Sequence, residues 1–147
     1  MTSAAPAPQI AYLTGEYPTV SHTFILREVE ALRAAGLEVE TCSIRQTGVE
    51  HHRGPAEQDA AKTTFYVLRA AKNPRTFLRA QARALRQPGR YFAALAKAWR
   101  MRAPGWRAAC YQLFYFAEAT VLAQHLQAQG ITQLHNHFAG PSATVAL

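Results

Sequence analysis

A chain of 147 residues, about half of them apolar, can bury one core, and at roughly 150 residues per domain it is expected to form one domain rather than a disordered tail. Its 16 Lys and Arg against 9 Asp and Glu give a formal charge of +7. Cys42 and Cys110 fit neither a disulfide framework nor a zinc-ligand spacing, so a reducing cytoplasmic setting is expected, and no run of about 18 apolar residues offers a membrane span.

Residues 1–8 are small and Pro-rich, without the basic start and apolar stretch of a signal peptide, and are expected to be a disordered tail. Gln9 to Leu13 reads as a short buried strand, which Thr14-Gly15-Glu16-Tyr17-Pro18 then breaks into a loop. A helix is expected from Ser21, as N-cap, to Ala35. Ile25, Val29 and Leu32 line its apolar side, and Arg27, Glu28, Glu30 and Arg33 its wet side. Gly36 stands where a left-handed helix stop is needed, and Leu37 to Arg45 reads as a second strand. The lengths match a parallel strand pair with a helical crossover, which makes the expected class α/β.

Gln46 to Ala61 reads as a polar loop, and Thr63 to Leu68 as a third strand. Two basic helices follow, Pro74 to Arg86 and Tyr91 to Met101, split at Pro88-Gly89. A longer helix from Arg107 to Gln129 ends at Gly130. Ile131 to Phe138 reads as a further strand, and Gly140-Pro141-Ser142 opens a last helix with Pro at its first turn. A domain seldom stops a few residues into an apolar helix, so truncation is the favoured reading of the end at Leu147; the alternative is a terminal turn docked on the sheet.

Two blocks carry a family resemblance. YLTGEYPTVSHTFILREVEALRAAGLEVETCSIR (12–45) resembles the opening of bacterial retaining glycosyltransferases of family 4, of the colanic-acid and capsular-polysaccharide type, and LHNHFAGPSATVAL (134–147) resembles a later strand-turn-helix of the same group. The resemblance covers about a third of the chain, in the right order. It implies a Rossmann-like N-terminal domain, residues 9–147, of a two-domain enzyme. This half would present a polysaccharide or lipid-linked acceptor, and a second domain absent from this sequence would hold a nucleotide sugar as substrate. No cofactor is implied, and the chain alone is expected to be inactive. His22 departs from the pattern, since many relatives carry an acidic residue there.

In an open parallel sheet ligands bind beyond the carboxyl ends of the strands. The loops Gly15 to His22 and His137 to Ser142 leave in that direction and would share a crevice if their strands are neighbours. Gly15 permits close approach of backbone, and the helix starts at Ser21 and at Gly140-Ser142 offer free N–H groups for a phosphate, or are ordinary caps. Glu16 could accept a hydrogen bond from an acceptor hydroxyl, or be a solvated loop acid. Arg45 could meet an anion, or simply decorate the surface. No G-x-G-x-x-G, Walker or nucleophile-elbow motif is present.

His135-Asn136-His137 is the most chemical triplet. On a strand the two histidines point the same way, but no Asp, Glu or third His at a convincing spacing completes a metal site, and none is expected. By the resemblance, His137 is the catalytic candidate, near the reacting sugar or acceptor; a strand-end structural role is the alternative. His135 is expected to be structural.

The positive charge concentrates between Arg69 and Arg107, which contains no acid. Arg75, Arg79, Arg83 and Arg86 form one helical stripe, and Trp99 and Arg100 belong to an aromatic-basic second helix. This basic helical insertion suits the anionic inner face of a plasma membrane, consistent with peripheral attachment. A solvated Arg-rich face is the bland reading. Nucleic acid lacks a reader motif and is not an expected partner.

Overall fold

The computed structural model describes residues 9–138 and 141–146. The expected tail, Gly140 and Leu147 lie outside these residues. The class is α/β: a four-stranded parallel sheet with helices on both faces, in the Rossmann-like manner. The strands are β1 (Gln9–Tyr17), β2 (Glu38–Gln46), β3 (Phe65–Tyr66) and β4 (Gln133–Asn136), and the helices are α1 (Thr23–Ala34), α2 (Pro55–Thr63), α3 (Val67–Ala71), α4 (Pro74–Ala84), α5 (Pro88–Arg100), α6 (Trp106–Gln129) and α7 (Pro141–Ala146).

Sheet order is β3-β2-β1-β4. Ala11, Tyr12, Leu13 and Thr14 are all buried, as an inner strand covered on both faces requires. On one face α1 lays Ile25, Leu26 and Val29 against Tyr12, Tyr17 and Val39, and Ala60 of α2 joins them. On the other, Leu13, Cys42 and Ile44 pack with Val67, Leu122 and Val145, from α3, α6 and α7. The chain thus steps from β1 to β2 to β3 on one side, then returns through the long α6 to place β4 on the other side of β1. The strand order reverses between β1 and β4, and in open α/β sheets the crevice outside such a reversal is where ligands bind.

Several sequence expectations need correction. The first strand does not stop at Leu13. It continues through Gly15 and Glu16 to Tyr17, because β2 offers hydrogen-bonding partners all the way to Gln46, with Glu16 opposite Arg45. Ser21 is not an N-cap. It sits inside a 3₁₀ turn, Val20–His22, that precedes α1, and His22 occupies the cap position without a side-chain cap bond. The polar stretch 46–61 holds a second 3₁₀ turn, Val49–His51, and most of α2. Pro55 opens α2, and the Glu57 carboxylate accepts from the Gly54 N–H at 3.0 Å. The third strand is only two residues long. Pro88-Gly89 does not separate the basic helices but starts α5, since proline at a first turn loses no hydrogen bond.

The stop at Gly36 is as expected. Its φ is +89°, and the Leu37 N–H donates to the Leu32 carbonyl, closing the helix end in the left-handed conformation glycine favours. Gly130 ends α6 in the same way.

Candidate functional site

The two carboxyl ends at the β1/β4 reversal are joined by backbone. His137 donates its N–H to the Leu13 carbonyl at 3.1 Å, extending the β4 pairing one residue past the strand. Tyr12 stands opposite His135 in the register, on the face covered by α1. Alternation along β4 brings His137 to that same face. The rings form a compact group: Tyr12 lies 4.9 Å from His135 and 5.2 Å from His137, and the two histidines are 4.6 Å apart, centroid to centroid.

Glu28 completes the group from α1. The sequence pattern put it on the wet side, but the helix is rotated so that Glu28 is half-buried over the edge strand. The Tyr12 hydroxyl donates to its Oε1 at 2.7 Å, and its Oε2 lies 3.7 Å from His137 Nε2. Burial, helped by that carboxylate, pushes the Tyr12 hydroxyl up to about 12, so it is a protonated donor at neutral pH. His137 is pulled the other way. Burial and then the neighbouring His135 lower its pKa, only partly opposed by Glu28, which favours a neutral imidazole. His137 Nε2 is buried and has no hydrogen-bond partner. A buried polar atom without a partner costs roughly 1–3 kcal/mol, and a ligand atom would relieve that cost.

Immediately beyond, Phe138 has a φ of +77°, an uncommon conformation for a residue with a Cβ. The bend sets its exposed ring 4.6 Å from His22 and 6.2 Å from the exposed Phe24, and Phe24 in turn lies 6.1 Å from His137. An aromatic patch therefore lies beside the polar group. It comes from the start of α1 and the segment after β4, the two loops expected to share a crevice.

The other sequence candidates are placed less favourably for chemistry. Gly15 lies within β1, and a Cβ there would meet nothing within 4 Å, so it leaves bare backbone near the sheet end. Glu16 and Arg45 are exposed neighbours on adjacent strands. Arg45 also bears on Glu118 of α6, a buried carboxyl that the sequence reading missed. Burial raises its pKa, the Arg45 charge opposes the rise, and its Oε2 has no hydrogen bond. Ser21 is exposed, and its Oγ is 3.5 Å from Thr19 Oγ1. Ser142 is fully buried in the first turn of α7, where it fills core space.

The basic segment forms an outer layer on α6. Ala80 of α4 is buried, while Arg75, Arg79, Arg83 and Arg86 are exposed, as the stripe predicted. No residue of α5 is buried. Trp99 is partly exposed with the Arg102 guanidinium 4.3 Å over its ring, and Arg100 is exposed. Between α4, α5, α6 and α7 lies a cavity of about 620 Å³. Its lining combines small alanines with Arg83, Arg86, Arg90 and Lys97, and contains no acid. Among the described residues, no helix is long and apolar enough to cross a membrane.

Comparison with known proteins finds no matching family model, no similar curated protein and no similar solved structure.

Proposed function

We propose that this chain is the acceptor-side α/β domain of a nucleotide-sugar-dependent glycosyltransferase, working with a second domain that binds the donor. The observation that carries this reading is the pairing, at the strand-order reversal, of an aromatic patch, the exposed Phe24 and Phe138 with the half-buried His22, with the buried, unpartnered His137 Nε2. Sugar rings present flat C–H faces and a rim of hydroxyls. Aromatic faces take the first, and a neutral imidazole can donate to or accept from the second, according to tautomer. Retaining transfer builds positive charge on the sugar ring and negative charge on the leaving diphosphate. A neutral His137 suits contact with a hydroxyl of the reacting sugar or acceptor, and the cationic grip on the diphosphate belongs to the partner domain. Residues 12–45 and 134–147, which carry the family resemblance, supply the elements that build this site.

Backbone-resolved NMR of the isolated chain with a panel of hexose oligosaccharides tests the reading. Shifts at Phe24, His137 and Phe138 are expected, and incubation with a nucleotide sugar and the same oligosaccharides should give no efficient transfer. No shift with any oligosaccharide, or efficient transfer by this chain alone, defeats it.

A second property is favoured by the basic layer: docking on an anionic membrane surface, where a lipid-linked acceptor would be found. Leu78, Phe92, Met101 and Trp106 are exposed among the arginines of a segment with no acid. Apolar side chains that insert, flanked by cations that meet headgroups, are the composition of an interfacial helix. The cavity's small apolar lining and four cations would also suit an amphiphilic anion. A non-catalytic membrane-binding module is the alternative if sugar binding fails and vesicle binding holds.

A further inference from the structure

We propose that Glu28, His135 and His137 form a binding site for a divalent metal ion of the zinc class. Two histidines two residues apart on a strand share a face, and the fold brings a carboxylate from α1 to that face. One ligand atom from each of the three residues lies within 4.8 Å of the other two. Imidazole nitrogens and a carboxylate oxygen are the donor set of open zinc sites, which leave a further position for water or a substrate oxygen.

Two independent features indicate an ion rather than a self-satisfied cluster. His137 Nε2 is buried without a hydrogen bond, yet faces Glu28 Oε2 at 3.7 Å, too far for a direct bond. Ligand atoms bound at about 2.0–2.2 Å around a tetrahedral zinc stand roughly 3.3–3.5 Å apart, so this pair is already close to that spacing. Glu28 is also held for the task. Its Oε1 is fixed by the Tyr12 hydroxyl at 2.7 Å and its other oxygen is left toward the histidine, as metal-binding carboxylates are oriented by an outer hydrogen bond. His135 is exposed, so its ring can turn to close the remaining distance.

A second trio, Glu40, Cys42 and His125, is as closely grouped but lacks these features. His125 Nε2 and Glu40 Oε1 already bond at 2.7 Å, and Phe65 stacks on the imidazole with ring centroids 3.7 Å apart. That cluster is complete without an ion.

With the ion bound, His137 Nε2 would be a ligand and a sugar hydroxyl would meet the open metal position instead. The metal inference is read by binding of the ion alone and is therefore tested apart from the glycosyltransferase reading. The purified chain, stripped with a chelator, is titrated with zinc chloride by calorimetry, and one equivalent should bind. Tyr12→Phe, which removes only the orienting bond, should weaken binding by about tenfold. His137→Ala and Glu28→Gln should weaken it further, and the joint change His51→Ala and His52→Ala should leave it unchanged. The amide oxygen introduced by Glu28→Gln can still accept from the Tyr12 hydroxyl, which preserves the local packing. As a check free of any variant, the imidazole resonances of His135 and His137 in the native chain should move together at one equivalent of zinc. Absence of binding, binding unaffected by Glu28→Gln and His137→Ala, or imidazole shifts confined to other histidines would overturn the proposal, and each result leaves sugar binding to be judged separately.

Discussion

The end of the sheet at β1 and β4 and the basic layer of α4 and α5 are built in opposite ways. At the sheet end the key groups are tied into the fold: Tyr12 by the sheet, by the α1 core and by Glu28, and the His137 backbone by its bond to Leu13. In the basic layer the cations are exposed, and α5 buries no residue. A site that must fix one ligand geometry needs the first kind of construction. A surface that meets many headgroups at long range needs only charge and some apolar area. Losses at the sheet end should therefore appear in stability and in specific binding, whereas losses in the basic layer should appear in salt-sensitive affinity with the fold untouched.

The largest expected effect is on vesicle binding. Each arginine near an anionic surface contributes about 1 kcal/mol, so changing Arg75, Arg79, Arg83 and Arg86 together to Ala should lower affinity for phosphatidylserine vesicles by about a thousandfold. Sedimentation at low and high salt reads this. Binding by the native chain that is indifferent to salt would remove the electrostatic account. Next is the core contrast. Ile25→Ala, beneath the sheet end, should cost about 2–5 kcal/mol in denaturant unfolding, whereas Phe92→Ala on α5 should stay within about 0.5 kcal/mol. Comparable losses at both sites would mean that the basic layer is packed more firmly than its exposure implies.

A smaller and sharper effect concerns the thiols. Cys42 is buried in β2, and burial foremost, then Glu40, pushes its thiol up to about 12, so almost none of it is thiolate at neutral pH. Cys110 is exposed on α6. Mass spectrometry after brief alkylation of the folded chain should show one modification, at Cys110, with Cys42 reacting only on unfolding. Rapid labelling of Cys42 in the native state would indicate that the inner sheet opens.

The smallest effect is at Glu118. Its raised pKa means that the folded state holds the proton more tightly than the unfolded one. The carboxyl costs no stability below the ordinary carboxylate range, and the cost grows as pH rises through the raised value. Glu118→Gln should therefore stabilise the chain at neutral pH, with the difference fading near about pH 4. Denaturant curves at the two pH values check both the sign and the trend.

Much of the α/β frame was legible in the residues. The apolar spacing of Ile25, Val29 and Leu32, the stop at Gly36 and the flanking apolar strands are local signals, and each corresponds to an observed element. Boundaries were less legible. Gly15 looked like a strand breaker, yet a paired neighbour on β2 carries the strand past it. The helix α2 was hidden by its polarity, with only Ala60 buried, although Gly54-Pro55 followed by Glu57 is a helix-start signal that could have revealed it.

The sequence by itself determined the parallel α/β class, the left-handed helix stops and the cationic stripe. Those depend on backbone preference and on side chains within a few residues of one another. Only the tertiary structure decided that β4 joins β1 on the side away from β2, which brings the segments after the two strands together, with Phe138 against His22 and Phe24. Only it decided that Glu28 turns inward to Tyr12 and His137 rather than to water. Periodicity names a helix's apolar side, but the fate of residues at the border of that side depends on which strand lies beneath them. That strand arrives from more than a hundred residues away, as Glu28 and His137 show.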